Sequence, residues 1–404
     1  MRELDVVVFG ATGFTGRLVA SYLSSRVAPG RLALAGRDAG KLAAVADEIG
    51  AGAAPRIVVD AKDAAALAEV AARAQVVCTT VGPYARYGNE LVAACVAKGT
   101  DYCDLTGEPH FMRRMIDRHH EDAVKSGARI VHTCGFDSIP SDLGVYVLQA
   151  HARAAHGAPA SKVTLGVRKL KGGASGGTVA SLLGVLEDAR RDRDVRRVML
   201  DPYSLNPDGE RRGADGPGQR GVSFSQDFDG WAAPFMMAGV NERVVRRTNA
   251  LSHYAYGEGF RYGEVMTFKR GAAGFASAVV ATGAAGALLA GAALPPLMKL
   301  AEKTVLPKPG EGPSAEAREA GSFDLRLVGH GTDSKGAEFT VRGVVTGKGD
   351  PGYAATSRML GESALCLALD PRASGGGVLT PAIALGDALV ARLRKVDFTF
   401  DAEG

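Results

Sequence analysis

A glycine-rich loop between an apolar strand and a helix constrains this chain more than any other sequence feature. Residues 4–9 read L-D-V-V-V-F, a nearly continuous apolar run that is typical of a parallel strand covered on both faces. The loop follows as G-A-T-G-F-T-G over residues 10–16, and a helical pattern then runs from Arg17 to Ser25. A second strand, Arg31 to Ala35, follows at the expected distance. This order predicts a Rossmann unit in which a pyrophosphate lies on the helix N-terminus.

The glycines of the loop have separate tasks in such a unit. Gly10 turns the chain, Gly13 lets the main chain approach the pyrophosphate, and Gly16 lets the helix lie close to the strand. Their spacing is G-x-x-G-x-x-G rather than G-x-G-x-x-G, so the flanking strand and helix favour a dinucleotide site over a turn without ligand. The loop residues predicted to contact the dinucleotide are Gly10, Thr12, Gly13, Phe14, Thr15 and Gly16.

Charged residues after the second and third strands bear on which dinucleotide is bound. Arg37 stands where enzymes that use NAD normally carry a carboxylate, and its guanidinium suits the 2′-phosphate of NADP; the alternative is a solvated surface arginine. Lys41 adds a second positive charge, whereas Asp38 is interpreted as a helix N-cap. Asp60 follows the third strand, where it meets the adenine amine or caps the next helix. NADP is therefore the predicted cofactor.

Strands and helices continue to alternate up to about residue 141, which predicts an α/β fold with a doubly wound parallel sheet. Thr80, Gly82 and Pro83 end the fourth strand and form a rigid turn at the edge where cofactors bind. After residue 141 the alternation lapses, and a hairpin of residues 323–330 and 338–346 indicates a second, α+β domain with an antiparallel sheet. The predicted domains are residues 1–141 (nucleotide binding), 142–378 (substrate and dimerisation), and 379–404, a helix and strand that pack back on the first domain.

Composition excludes several classes of protein. The net charge of +4 over 404 residues, without an aromatic and basic stripe, gives no reason to expect nucleic-acid binding. Five scattered cysteines, never spaced C-x-x-C, argue against a disulfide framework and a zinc site and favour a reducing compartment. We therefore expect no metal and a cytoplasmic location.

Several motifs together resemble the saccharopine dehydrogenase-like oxidoreductases. They are the glycine loop, the Val81–Tyr84 turn with Tyr87-Gly88 after it, and D-Y-C-D-L-T-G-E over residues 101–108. Residues 134–142, 175–178 and 349–353 resemble the branch called trans-acting enoyl reductases. The resemblance implies NADPH-dependent reduction of an acyl-chain double bond in partnership with a polyketide synthase that makes long-chain lipids. The competing hypotheses are a C–N bond oxidoreductase and a non-catalytic NADP-binding sensor or scaffold.

The sequence gives positions for catalysis rather than roles. Tyr84 and Tyr87 follow the fourth-strand turn, while Asp137 and Ser138 follow the sixth strand at the same edge of the sheet. Hydride transfer to an enoyl group requires a donor at the thioester oxygen and a proton for the α-carbon. Each candidate also has a structural explanation, since Ser138 precedes Ile139-Pro140 as an N-cap would and Tyr84 can pack beneath the cofactor.

Residues 271–298 contain no charged side chain. The stretch is long enough to span a membrane, but it is rich in alanine and glycine, which are only weakly lipophilic. Three interpretations stay open: a buried or homodimer-interface helix, a peripheral contact with the inner face of the membrane, and a true span. The following segment, residues 307–321, is interpreted as a mobile loop or lid.

Overall fold

Six of the seven strands of the nucleotide-binding sheet come from the first third of the chain. A computed structural model describes residues 2–172, 176–216, 218–292 and 312–404, with the main chain alone given for residues 176–180, 182 and 288–292. The first sheet has the order β13-β6-β5-β4-β1-β2-β3, and every neighbouring pair is parallel. Its strands are β1 (Leu4–Phe9), β2 (Leu32–Gly36), β3 (Arg56–Val58), β4 (Ala74–Thr79), β5 (Asp101–Cys103), β6 (Arg129–Val131) and β13 (Gly377–Leu379). The first six strands follow the doubly wound order expected of a dinucleotide-binding fold.

Helices cover both faces of this sheet, which explains why β1 and β2 are buried along their whole length. The helices within the first 156 residues are α1 (Phe14–Ser24), α2 (Ala39–Glu48), α3 (Ala64–Arg73), α4 (Tyr84–Tyr87), α5 (Asn89–Lys98), α6 (Pro109–Ser126) and α7 (Ile139–His156). The helices α3, α5 and α6 pack on one face of the sheet. The face that carries α1 is also covered by two C-terminal helices, α13 (Thr356–Leu369) and α14 (Pro381–Arg394).

The second sheet has the order β14-β12-β11-β7-β10-β9-β8 and is antiparallel except for the parallel pair β7–β10. Its strands are β7 (Lys162–Lys171), β8 (Ser223–Ser225), β9 (Gly230–Pro234), β10 (Arg261–Lys269), β11 (Ser322–Thr332), β12 (Glu338–Lys348) and β14 (Phe398–Glu403). The predicted hairpin is confirmed as β11 and β12, which pair over eleven residues each. The remaining elements are α8 (Gly176–Arg191), α9 (Arg193–Leu200), α10 (Ala238–Leu251), α11 (Ala272–Ala292), α12 (Ala315–Glu319) and a π-helix (Pro351–Ala355).

The structure corrects the interpretation of the C-terminal segment. The helix α14 packs on the nucleotide-binding layer as expected, but the strand β14 does not, because it pairs antiparallel with β12 in the second sheet. The buried rings of Phe398 and Phe400 explain this placement, since Phe398 stacks on Phe323 of β11. Conversely, β13 lies within the predicted substrate domain by sequence but pairs with β6 of the first sheet.

Three sequence interpretations fall partly outside the described residues. The segment predicted as a mobile loop, 307–321, is described from residue 312 onward, and this part contains α12, capped by Ser314 through the amide of Ala317 at 3.3 Å. The motif at residues 175–178 begins outside the described residues. The uncharged stretch is described up to residue 292, and it forms α11. Among the described residues, no helix is long and apolar enough to cross a membrane.

Candidate functional site

The glycine loop has the shape that a bound pyrophosphate requires. Gly10 has φ +89°, in the region that favours glycine, and a Cβ there would lie 2.6 Å from Cγ2 of Val81. A Cβ at Gly16 would lie 2.1 Å from the Gly10 oxygen, so only glycine lets α1 approach β1 this closely. A Cβ at Gly13 would meet no atom nearer than 3.4 Å. Gly13 therefore leaves room on the side that a ligand approaches.

The N-terminus of α1 fits an anion. Gly13 stands at its N-cap position, and no side-chain hydrogen bond caps this helix in the described structure. The first turn of a helix presents main-chain N–H groups without helical partners, and the helix dipole adds a partial positive charge there. Because α1 begins at the carboxyl end of β1 and β4 follows on the other side, the loop lies at the switch point of the sheet.

The structure places the charged residues that follow β2 and β3. Asp38 accepts a hydrogen bond from the Lys41 amide at 2.9 Å, which confirms it as the N-cap of α2. The side chains of Arg37 and Lys41 are exposed beside it. Asp60 does not cap α3, because the helix begins later and Asp63 caps it. Instead, Asp60 is exposed and accepts from the Lys62 amide at 2.9 Å.

The carboxylate of Glu108 binds the main chain of the turn after β4. Both oxygens of Glu108 accept main-chain hydrogen bonds, from the amides of Tyr84 (2.9 Å) and Ala85 (2.8 Å). Burial raises the pKa of Glu108 above its usual range. Just before the turn, the Thr80 hydroxyl lies 3.4 Å from the Gly10 oxygen, within hydrogen-bond reach. Glu108 therefore fixes the loop that contains Gly82 and Pro83, a role that the sequence did not reveal.

The two candidate tyrosines are placed differently. Tyr84 is 5% exposed, its hydroxyl donates to the Thr79 oxygen at 3.3 Å, and it accepts from the Leu105 amide at 3.2 Å. Burial raises the pKa of Tyr84 well above its usual range. Tyr87, at the other end of α4, is only partly buried. The structure thus ties Tyr84 to the main chain under the turn and leaves Tyr87 nearer to solvent.

A buried carboxylate and imidazole lie at the ends of β5 and β6. Asp104 accepts from the Tyr102 hydroxyl at 2.9 Å and lies 2.7 Å from Nδ1 of His132. Asp104 also accepts from the amides of Thr106 and Thr133. Each of the two residues directly follows a parallel strand, and this position is the sequence signal that marks the pair. The His132 ring packs between aromatic rings on the α6 side, so this pair stabilises the edge of the sheet.

Asp137 and Ser138 begin the connection from β6 to the second sheet. Asp137 is partly buried, and burial raises its pKa to about 7. Ser138 stands at the N-cap position of α7, but its side chain does not cap the helix. Its hydroxyl donates to Oδ1 of Asn241 at 3.0 Å. Ser138 therefore stands at the predicted N-cap position, but the prediction that its hydroxyl caps the helix is wrong.

The contact of Ser138 continues as a buried polar chain into the second sheet. Asn241 donates from Nδ2 to Glu264 at 2.9 Å, and the Tyr262 hydroxyl donates to the other oxygen of Glu264 at 2.7 Å. Glu264 is 1% exposed, and burial raises its pKa to about 7. The chain Ser138–Asn241–Glu264 thus joins the edge of the first sheet to the centre of the second.

The C-terminal motif of residues 349–353 closes over the glycine loop. Asp350 accepts from the amides of Tyr353 and Ala354 at 3.0 Å each and so caps the π-helix. Tyr353 packs edge-to-face on Phe14, with 4.8 Å between ring centroids. On the same ring of Phe14 lies the guanidinium of Arg318, 5.3 Å from its centroid. Residues far apart in sequence therefore cover the start of α1.

The described residues contain no group of three or more potential metal ligands. All five cysteines are buried and free.

Comparison with known proteins identifies this arrangement. Residues 6–131 match the saccharopine dehydrogenase NADP binding domain. Rv2449c of Mycobacterium tuberculosis (strain ATCC 25618 / H37Rv) is 48% identical over 97% of this chain and 96% of its own length. A trans-acting enoyl reductase of Mycobacterium ulcerans (strain Agy99) is 44% identical over 99% of this chain and 98% of its own length. This chain belongs to the saccharopine dehydrogenase-like oxidoreductases, in the trans-acting enoyl reductase branch. It is an NADP-dependent oxidoreductase.

A solved structure supports the same fold. The saccharopine dehydrogenase (L-Glu forming) of Saccharomyces cerevisiae superposes with a TM-score of 0.54 over 99% of this chain and 100% of its own. At 14% identity, the likeness is one of architecture alone. The predicted fold class, a doubly wound sheet with a second α+β domain, is confirmed.

Proposed function

We propose that this oxidoreductase reduces the double bond of an enoyl thioester held on a polyketide-type acyl carrier. The main support is the position of Asp137 and Tyr87 at the same sheet edge as the glycine loop, within a family whose relatives are named enoyl reductases. When bound, NADPH supplies a hydride for the β-carbon. The predicted dinucleotide contacts are those of the loop together with Arg37, Lys41, Asp60, Thr80, Gly82 and Pro83.

Asp137 is proposed as the acid that protonates the α-carbon. A carboxyl with a pKa near 7 is about half protonated at neutral pH, so a large fraction of the protein holds a proton that it can transfer. Ser138 is proposed as a positioning residue, because its buried hydroxyl is held by Asn241. This bond fixes the start of α7 and with it the main chain of Asp137.

Tyr87 is proposed as the donor to the thioester oxygen. Its side chain is less buried than that of Tyr84, and it follows the turn that Glu108 holds. Tyr84 is proposed as a support for that turn, because its hydroxyl is already bonded to two main-chain groups. In this proposal Tyr87 contacts the substrate and Tyr84 stabilises the loop.

The alternative, a C–N bond oxidoreductase, requires cations that grip substrate carboxylates. The clustered candidates are Arg168, Lys169 and Lys171, and all three are exposed on β7, with Arg168 3.9 Å from Asp324. They offer no buried clamp for an amino acid. Enoyl reduction is therefore the better supported reaction.

One assay tests the reaction. NADPH oxidation is followed by absorbance with a medium-chain trans-2-enoyl thioester of N-acetylcysteamine, and imino-acid and keto-acid substrates are run in parallel. Selective turnover of the enoyl thioester supports the proposal, and selective turnover of an imino acid contradicts it. Tight NADPH binding without turnover of any substrate would identify a non-catalytic NADP-binding protein.

We also propose a cytoplasmic protein that contacts the inner face of the membrane through α11. This helix packs on β9 and β10 through Gly274 and Ala278, which are buried. Its other side exposes Val279 and Val280, the latter 70% exposed, and carries no charge. Lys269 and Arg270 precede the helix, and cations beside an apolar face favour an anionic lipid surface. Sedimentation with anionic vesicles tests this contact.

A homodimer through the same face is the competing proposal for α11. Small residues along a helix allow close packing against a second helix. Light scattering of the full chain separates the two proposals: a dimer that does not bind vesicles contradicts the membrane contact, and a monomer that binds them contradicts the homodimer.

A further inference from the structure

A cavity lies against α1, the helix that Phe14 begins. It has a volume of about 470 Å³ and lies between α1, α12, the π-helix and α13. This volume is within the range of small-molecule sites in proteins. The cavity is lined by the apolar and hydroxyl side of α1 and by three cations, Arg318, Lys348 and Arg358, with Glu319 as the carboxylate among its lining residues.

The two arginines of this cavity donate hydrogen bonds to main-chain oxygens in the described structure. The Arg358 guanidinium donates to the main-chain oxygens of Ala354, Lys348 and Val396, and Arg318 donates to the Pro313 oxygen. Neither arginine forms an ion pair with the described carboxylates. Burial lowers the pKa of Arg358, and the nearby carboxylates of Asp397 and Asp350 oppose this effect only in part.

Two residues that line the cavity link it to Phe14 at the start of α1. Arg318 lines the cavity and lies over the ring of Phe14, whereas Phe14 opens the helix that receives the pyrophosphate. Ala354, which lines the cavity, adjoins Tyr353, the other residue packed on Phe14. The wall of the cavity and the cover over Phe14 thus share Arg318 and the π-helix.

We propose that this cavity binds the phosphate of a phosphopantetheine arm, with Arg318, Lys348 and Arg358 as the anion ligands. The inference deepens the proposed function, since it gives the site where the acyl carrier's arm is held. Planar guanidinium groups suit bidentate contact with phosphate oxygens, and the ammonium of Lys348 adds a mobile point charge. The hydroxyls of Ser21 and Ser357 line the same cavity and suit the polar amides of the arm.

Binding of 4′-phosphopantetheine and of dephosphorylated pantetheine to the full chain, measured by calorimetry, tests the site without turnover. We expect the phosphorylated compound to bind and the double variant Arg318→Gln/Lys348→Gln to weaken it by about tenfold or more, because charge-assisted hydrogen bonds are lost. Arg342→Gln, an exposed arginine of β12 outside the cavity, is the matched control. Equal binding of the two compounds, or equal binding by wild type and double variant, would overturn the proposal.

Kinetics distinguish the source of the arm and separate this inference from the reaction itself. We compare the KM for an enoyl carrier protein, divided by the KM for the phosphate-free N-acetylcysteamine thioester, between the two proteins. In the wild type this ratio should be well below one, and in the double variant it should be about tenfold higher. The same comparison with enoyl-coenzyme A shows whether a free arm is accepted. If NADPH binding weakens in parallel in the double variant, the cations serve the cofactor and the inference is wrong. If the wild type binds phosphopantetheine, the double variant does not, and neither reduces an enoyl thioester, the result would support the site and refute the proposed reaction.

Discussion

Phe14 and Tyr353 pack edge-to-face with their ring centroids 4.8 Å apart, and this contact joins the start of α1 to the π-helix near the other end of the chain. The glycine loop, where we propose that the dinucleotide binds, therefore depends on a contact from outside the first βαβ unit. Removing either ring should loosen the covering over the cofactor while leaving the glycine turn unchanged.

Phe14→Ala is expected to raise the Kd of NADPH several-fold and to lower the free energy of unfolding. An edge-to-face aromatic pair contributes about 0.5–1.5 kcal/mol beyond the area that it buries. Fluorescence titration measures the affinity, and thermal unfolding measures the stability. Phe224→Ala, at a partly exposed ring of β8, serves as a control that should alter neither NADPH affinity nor the glycine loop. An unchanged Kd for Phe14→Ala would mean that the pair does not cover the cofactor.

Arg37→Asp should weaken NADPH far more than NADH. The substitution replaces an exposed cation with a carboxylate beside the predicted 2′-phosphate, so we expect a loss of about 10- to 100-fold for NADPH alone, the size of one or two charge-assisted hydrogen bonds. Arg56→Asp, an equally exposed arginine that begins β3, is the matched control. Equal loss of both cofactors would show that Arg37 is not the phosphate ligand.

Asp137 predicts the pH dependence of the reaction. Because its pKa is raised to about 7 by burial, the protonated acid is present below that pH and is lost as the pH rises through it. The rate of proton transfer should therefore fall above about pH 7 in the wild type. Asp137→Asn should reduce kcat by about 10²–10⁴-fold, the range for a general acid, and should abolish this limb. A pH–rate profile that keeps the same limb in Asp137→Asn would remove Asp137 from the role of acid.

Glu264 predicts how stability depends on pH. Its pKa is about 7 in the folded chain and near 4.5 when exposed, so the folded state holds the proton more tightly. The resulting stabilisation is full below about pH 4.5 and is lost as the pH rises through 7, by on the order of 3 kcal/mol. Glu264→Gln should flatten this part of the curve of Tm against pH. Glu338→Gln, at an exposed position of β12, should leave the curve as it is in the wild type.

Tyr84 and Tyr87 should respond differently to the loss of a hydroxyl. Tyr84→Phe leaves the buried Leu105 amide and Thr79 oxygen without their partner, which should cost about 1–3 kcal/mol of stability with little effect on kcat. Tyr87→Phe should lower kcat and leave Tm unchanged. A fall of kcat in Tyr84→Phe at unchanged Tm would instead indicate that Tyr84, rather than Tyr87, donates to the thioester oxygen.

The sequence predicts well those features that depend on neighbouring residues. The glycine loop, the N-cap at Asp38 and the turn at Gly82 are local, because a strand, a few loop residues and a helix fix them. The contact of Ser138 with Asn241 and that of Phe14 with Tyr353 join distant segments, and no pattern within either segment encodes its partner. For the same reason β14 was assigned to the wrong sheet: its alternating phenylalanines predict a strand with one buried face and do not say which sheet it joins.

The position of β13 has a consequence for how the chain folds while it is being synthesised. The strand pairs with β6, yet it leaves the ribosome after almost the whole second sheet, so the edge of β6 stays unpaired through most of synthesis. An unpaired strand edge is a site for pairing with other chains. A nascent chain that stalls before residue 377 should therefore depend on chaperones, even though every residue of its glycine loop has already been made.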